Sequence, residues 1–211
     1  MTTSTSAASA TTRRGRPGYD QQAVLRAAVE VFNRHGYDST SMGMLASELG
    51  LTKSAIYHHV ESKEELLSLA LDEALTALEE VLDQSAARGG EPMDRLERGI
   101  RATVLVLTDK LPFVTLLLRL RGNSPVEVAA LERRRIFDQR MVERIVAARE
   151  AGGLRADIDP ATSARLIFGT INSIVEWWQP GGRLSPDELA DDVVKMVFQG
   201  LAAGPGHPGV R

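Results

Sequence analysis

Helix punctuation is what most constrains this chain. Serine stands three residues before glutamate at Ser62 and Glu65, Ser124 and Glu127, and Ser185 and Glu188. At that spacing the serine oxygen takes a free backbone N–H and the glutamate reaches back to the serine N–H. Pro125 and Pro186 follow at the first helical position, where a missing N–H leaves nothing unbonded, and Asp159 with Pro160 makes another such start. Gly36, Gly89-Gly90, Gly122, Gly152-Gly153 and Gly181-Gly182 supply the stops. Between these marks apolar residues recur at helical spacing, as at Val24, Ala28, Val31 and Phe32 in the segment from Asp20 to His35. No run alternates strictly for long enough to make a sheet strand. The pattern predicts an all-α protein of about nine helices, without an internal repeat.

At 211 residues, 43% hydrophobic and 25% charged, the chain can bury a core in one or two domains. No window approaches the roughly 18 consecutive apolar residues that a membrane span needs. The absence of cysteine excludes disulfides, thiolate metal sites and cysteine nucleophiles. A net charge of -3, taken whole, argues against a nucleic-acid partner, since such proteins usually carry a basic footprint. The charge is uneven, however: residues 1–63 hold seven Lys/Arg against five Asp/Glu, and residues 64–211 hold eighteen against twenty-three. Arg13, Arg14 and Arg16 cluster behind a leader of Ser, Thr and Ala from Thr2 to Thr12. That leader lacks the apolar core of a secretory signal. It reads as a disordered basic arm of a cytoplasmic protein, either a solvated tail or an arm that enters an adjacent A·T-rich minor groove.

The informative stretch is Ser41 to Lys63, SMGMLASELGLTKSAIYHHVESK, where two short helical patterns flank Gly50 at helix-turn-helix spacing. A helix that enters the major groove presents its N-terminal residues to the bases and buries only its inner face. Thr52, Lys53 and Ser54 start such a helix, while Ala55, Ile56 and Val60 can face inward against Ala46, Leu49 and Leu51. Tyr57, His58 and His59 group several donors, and Lys63 stands where it could reach a phosphate. Adjacent histidines on a helix point about 100° apart, which is poor geometry for a shared metal.

The run from Asp20 to about Leu71 resembles the N-terminal domain of TetR/AcrR-type bacterial transcriptional repressors. The resemblance rests on FNRHGYDSTS at the end of a long first helix and on LASELGLTKSAIYHHVESKEELL after it. It implies that Thr52, Lys53 and Ser54 address bases and nearby phosphates, that Tyr57, His58 and His59 clamp backbone, and that Lys63 does so from the fourth helix. Ser41 looks like the cap of the second helix, facing a phosphate. Gly43 stands where many relatives carry Arg or Asp, so a contact from that side chain is absent.

Ile100 to Leu107 and Phe113 to Leu120 are apolar nearly all round and read as buried helices, with Leu105, Leu116 and Leu117 as core. On the helix after Pro160, Leu166, Gly169, Thr170 and Ser173 form a small-residue stripe, and Val193, Val194, Val197 and Leu201 offer a second surface on the last helix. These predict a four-helix dimer interface across a two-fold axis. A dimer also suits a palindromic operator. The stretch INSIVEWWQPGGRLSPDELADDVV resembles the C-terminal signature of the acyl-CoA-responsive TetR subgroup. That resemblance implies an apolar acyl end in the helical core and arginines at the phosphates.

The candidate ligand residues are Val104, Phe113, Leu117, Arg119, Arg121, Asn123, Phe137, Arg140, Met141, Phe168, Asn172, Glu176 and Trp177. Arg133 to Arg135 read as a solvated helix face. Trp177 and Trp178 either plug the helix end above Pro180 or stack on a ligand. The expected organisation is a basic arm over 1–18, a helix-turn-helix domain over 19–65, a ligand-binding and dimerisation domain over 66–202, and a loose tail over 203–211. The function expected is a homodimeric, ligand-released repressor, with a multidrug or antibiotic sensor of an efflux gene as the alternative. An architectural DNA binder without an inducer is a third reading. No nucleophile and base in recognisable context, phosphate-binding glycine loop or metal-ligand spacing is present, so neither enzymatic activity nor a catalytic cofactor or metal is expected.

Overall fold

A computed structural model describes residues 21–200, so Arg13, Arg14, Arg16 and Leu201 lie outside the described residues, as do the arm and the tail. Within them the chain forms nine helices and no strand: α1 (Gln21–His35), α2 (Met42–Glu48), α3 (Lys53–Tyr57), α4 (Lys63–Ala87), α5 (Pro92–Asp109), α6 (Leu111–Leu118), α7 (Pro125–Glu150), α8 (Pro160–Trp177) and α9 (Pro186–Gln199). Side-chain oxygens of Ser41, Thr52, Ser62, Ser124, Asp159 and Ser185 accept from backbone N–H groups at six of the starts. Only Ser185 with Glu188 closes the reciprocal box. Glu65 turns its carboxylate to the N–H of Glu61, and Glu127 turns to the loop before it. Two breaks carry no glycine: α3 gives way to α4 across residues 58–62, where Ser62 caps the new start, and Lys110 separates α5 from α6 just before Pro112.

α1 packs against α2, α4 and α6, while α3 rests on α2. A five-residue helix is too short to hold itself together. α3 is fixed by Ile56, which is fully buried, and by Val60 beyond it. Val24, Ala28, Phe32, Leu45, Leu66 and Leu67 complete this end of a core that runs on without interruption through Leu75, Leu82, Ile100 and Ile145. α4 is the continuous link. Its 25 residues span about 37 Å at the α-helical rise, starting beside α1 and ending against α5 and α7.

The body is layered around α5, which contacts α4, α6, α7 and α9. Arg133 is not a solvated side chain: its guanidinium holds Glu79 at 2.9 Å and Asp72 at 2.5 Å, tying α7 to α4. Among the described residues no helix is long and apolar enough to cross a membrane.

Candidate DNA-binding surface and effector core

Thr52, Lys53, Ser54, Tyr57 and His58 are exposed together around the first turn and outer face of α3. Thr52 caps that helix by accepting from the Ala55 N–H at 3.2 Å, and Ser41 caps α2 by accepting from Met44 at the same distance. Both helices therefore point N-terminal partial positive charge outward, the polarity that favours a phosphate. Lys53 lies over the start of α2, and a Cβ added to Gly43 would stand 2.8 Å from its Cε. The glycine thus leaves space that the lysine stem uses. Tyr57 is 51% exposed, whereas His59 is half-buried and its carbonyl accepts from Gln21 Nε2.

Lys63 departs from the expectation of an extended phosphate contact. Its ammonium donates to the Tyr37 carbonyl at 3.0 Å and sits 4.3 Å from the centre of the Tyr37 ring, closing the turn between α1 and α2. That ring in turn packs edge-on against Phe32 at 5.2 Å. Burial, then the nearby Glu64, Glu127 and Asp38 carboxylates, push the Tyr37 phenol up to about 12. No group of three His, Asp or Glu able to hold a metal occurs among the described residues.

Arg119, Arg121 and Asn123 do not face the effector core, contrary to expectation. They stand where α6 ends against α1, around a cavity of about 480 Å³ that Phe32, Tyr37 and Glu127 also line. Arg119 donates to the Asn33 carbonyl at 2.9 Å, Asn33 Nδ2 donates to the Pro112 carbonyl at 2.8 Å, and Asn123 Nδ2 reaches Asp38 at 3.1 Å. Glu127, only 4% exposed, holds the preceding loop by accepting from the N–H groups of Arg121, Gly122 and Asn123 at 3.1, 2.9 and 3.3 Å. Gly122, at φ +83°, lets the loop turn back over that carboxylate. These residues form a joint between the helix-turn-helix end and the body.

In the body, Leu117, Phe137, Phe168 and Asn172 do converge, with Arg134 and Asp138, on a cavity among α4 to α8. Its volume is about 30 Å³, comparable to one water molecule. Phe137 and Phe168 stand 5.7 Å apart across it. Burial raises the Asp138 carboxyl above its ordinary value against the opposing pull of Arg134. Val104, Phe113 and Met141 are buried in the surrounding core. The remaining candidates go elsewhere: Arg140 pairs with Asp83 on α4, and Glu176 and Trp177 are on the solvent side of α8. Of the two tryptophans, Trp178 is the plug, buried with its Nε1 donating to Leu184 O at 3.0 Å, whereas Trp177 is 55% exposed.

The stripe on α8 is open: Leu166 is 63% exposed, Gly169 and Ser173 are exposed, and Thr170 is half-buried. On α9, Val194 and Val197 are half-buried, but Val193 is buried in the core of its own chain and offers nothing to a partner. Beside this stripe Leu166, Thr170 and Val197 border a second, mainly apolar cleft of about 330 Å³.

A short helix-turn-helix at one end of a helical body is the architecture of a DNA-binding regulator. Residues 24–70 match the family described as bacterial regulatory proteins, tetR family, and residues 89–201 match the tetracyclin repressor-like C-terminal domain. The chain belongs to the TetR family of transcriptional regulators, which are not enzymes. It is 23% identical over 201 residues to the HTH-type transcriptional repressor KstR2 of Mycolicibacterium smegmatis, covering 90% of this chain and 94% of that protein. With the fatty acid metabolism regulator protein of Bacillus subtilis it shares 24% identity over 193 residues, 88% of this chain and 96% of that one. The crystal structure of SCO3833 from Streptomyces coelicolor A3, a TetR regulator, superposes with TM-score 0.81 at 48% identity, covering 85% and 91% of the two chains. AibR in complex with isovaleryl coenzyme A and operator DNA superposes with TM-score 0.71 at 26% identity, covering 84% and 97%.

Proposed function

We propose that this TetR-family repressor is a cytoplasmic homodimer that holds a palindromic operator and releases it when an acyl-CoA thioester fills the body. In this reading residues 19–65 bind DNA and residues 66–202 bind ligand and partner. The observation that carries it is the path from surface to core. Exposed α3 residues sit on α2, α2 and α4 both pack on α1, and α4 supplies Leu78 to the cavity that Phe137 and Phe168 flank.

At about 30 Å³ that cavity admits an acyl group only if α5 to α8 move apart. Binding is therefore tied to a rearrangement, as differential affinity for two shapes requires. Any shift of α6 is felt at Asn33 and Asp38 through Arg119 and Asn123. The AibR complex, in which isovaleryl coenzyme A and DNA occur together, lends the ligand class its support. The open α8 stripe supports the dimer. Thr52, Lys53, Ser54 and Tyr57 are assigned to bases and phosphates, with Ser41, His58 and His59 at neighbouring backbone.

A second reading, a sensor of cationic drugs controlling an efflux gene, has one observation in its favour: Asp138 places a carboxyl beside two aromatic rings. The test selects bound DNA fragments and measures their release by a panel of acyl-CoAs and cationic drugs. Release by acyl-CoAs supports the first reading. Release by drugs alone selects the second, and release by neither refutes both.

A further inference from the structure

We propose that a cleft at the end of the body far from α3, lined by Arg95, Arg140 and Arg144, binds the phosphate groups of an organic phosphate ester and receives the phosphorylated end of the effector. Its assignment to the effector rests on the acyl-CoA reading; the phosphate site itself does not. The cleft has a volume of about 250 Å³ and lies between the end of α4, the first turns of α5 and the second half of α7. Glu143, an exposed side chain, is the one acid among the residues that line it.

The three guanidinium groups differ in what compensates them. Arg140 is paired with Asp83. Arg144 is half-buried, and its two terminal nitrogens donate to Ser85 Oγ and the Leu82 carbonyl, both neutral. The Arg95 guanidinium forms no hydrogen bond or ion pair among the described residues, although Arg95 lines the same cleft. Burial, with Arg140 and Arg95 adding repulsion, lowers the affinity of Arg144 for its proton despite Asp83. Arginines that repel one another in a concavity gain when an anion bridges them, and the planar guanidinium fork matches two phosphate oxygens at once. Bonds to the last turns of α4 account for Arg144 alone; the Arg95 guanidinium makes none.

The position also suits an elongated effector. Phe137 lines the central cavity and Arg144 follows seven residues later on α7, about 10 Å along the helix. A molecule with an apolar end among α5 to α8 and phosphates at its other end can meet both. Arg119 and Arg121, which sequence reasoning put in this role, line the separate cavity where α6 ends against α1, and Arg119 bonds the Asn33 carbonyl there.

The test is calorimetry on the full chain without DNA, using coenzyme A, inorganic pyrophosphate and phosphate-free pantetheine. Coenzyme A is expected to bind more tightly than pyrophosphate, and pantetheine more weakly than either. Arg95→Gln, which removes a guanidinium without a hydrogen bond or ion pair among the described residues, is expected to weaken coenzyme A about tenfold or more with an unchanged melting temperature. Equal binding of pyrophosphate and coenzyme A would support the phosphate site and overturn its assignment to the effector. Coenzyme A affinity unchanged in Arg95→Gln, or pantetheine matching coenzyme A, would overturn the site itself. Because no operator is used, failure of acyl-CoAs to release DNA would overturn the effector reading and leave the calorimetric result standing.

Discussion

Replacing Glu127 by alanine probes the joint between the DNA-binding end and the body. The carboxylate is buried and accepts from three successive backbone N–H groups at 2.9 to 3.3 Å. A hydrogen bond to a charged group contributes about 1.5–3 kcal/mol when buried. Two of the three donor residues, Arg121 and Asn123, are exposed, so water replaces part of the loss and a total of about 3 kcal/mol is expected. For a chain of this size that corresponds to a fall of about 6–12 °C in Tm. Protein concentration must be held fixed, because dimerisation makes Tm depend on it.

Glu127→Gln keeps an acceptor but loses its charge, and should show about half the effect. The freed loop carries Asn123 away from Asp38 and loosens Arg119 beside Asn33. Effector-driven operator release should therefore flatten more than operator affinity itself. Thermal melts and anisotropy titrations of both variants decide it. A Tm within 1 °C of the parent, with effector response intact, would refute the assignment of Glu127 as the anchor of the joint.

Gly43→Ala should raise helix stability slightly, by about 0.5–1 kcal/mol, yet change operator affinity, because its Cβ displaces the Lys53 stem; unchanged DNA binding would dissociate Lys53 from this role. Asp138→Asn should stabilise the protein near neutral pH. Burial raises the folded-state pKa of Asp138, so the native state holds the proton more tightly than the unfolded chain, and stability falls as pH rises from the unfolded pKa through the folded one. The advantage of the amide should accordingly shrink as pH is lowered, and urea titrations showing a pH-independent difference would contradict the burial argument. Leu166→Glu, on the open face of α8, should give a monomer by sedimentation and abolish tight operator binding; a dimer of parental strength would remove α8 from the interface.

What was legible in the sequence was short-range. Caps and glycine stops act over three or four residues, so the helix starts at Ser62, Ser124, Asp159 and Ser185 could be read directly, while Ser41 came from the family resemblance. Phe137, Phe168 and Asn172, named as ligand candidates from the sequence, do line one cavity. The destinations of long polar side chains were not legible. Arg119 finds a carbonyl 86 positions away, which depends on how α1 and α6 approach rather than on its neighbours. Lys63 turns inward because the α1–α2 turn brings the Tyr37 carbonyl beneath it. Trp177 ends α8 and Trp178 leaves it in an extended conformation, so the path of the following chain to Leu184 decides which tryptophan is buried. Arg95 and Arg144, on different helices, were not legible as a cluster with Arg140, because only the packing of α5 on α7 brings them to one cleft.

Reciprocal linkage tests the central claim, that filling the core and holding DNA are opposed states of one molecule. If an acyl-CoA weakens operator affinity by some factor, operator DNA must weaken acyl-CoA affinity by the same factor. The decisive measurement is acyl-CoA affinity by calorimetry with and without saturating operator, beside operator affinity with and without saturating acyl-CoA. Equal factors of about tenfold or more are expected, in the usual range of coupling energies. Acyl-CoA binding with the same affinity to the free and the operator-bound protein would contradict the account.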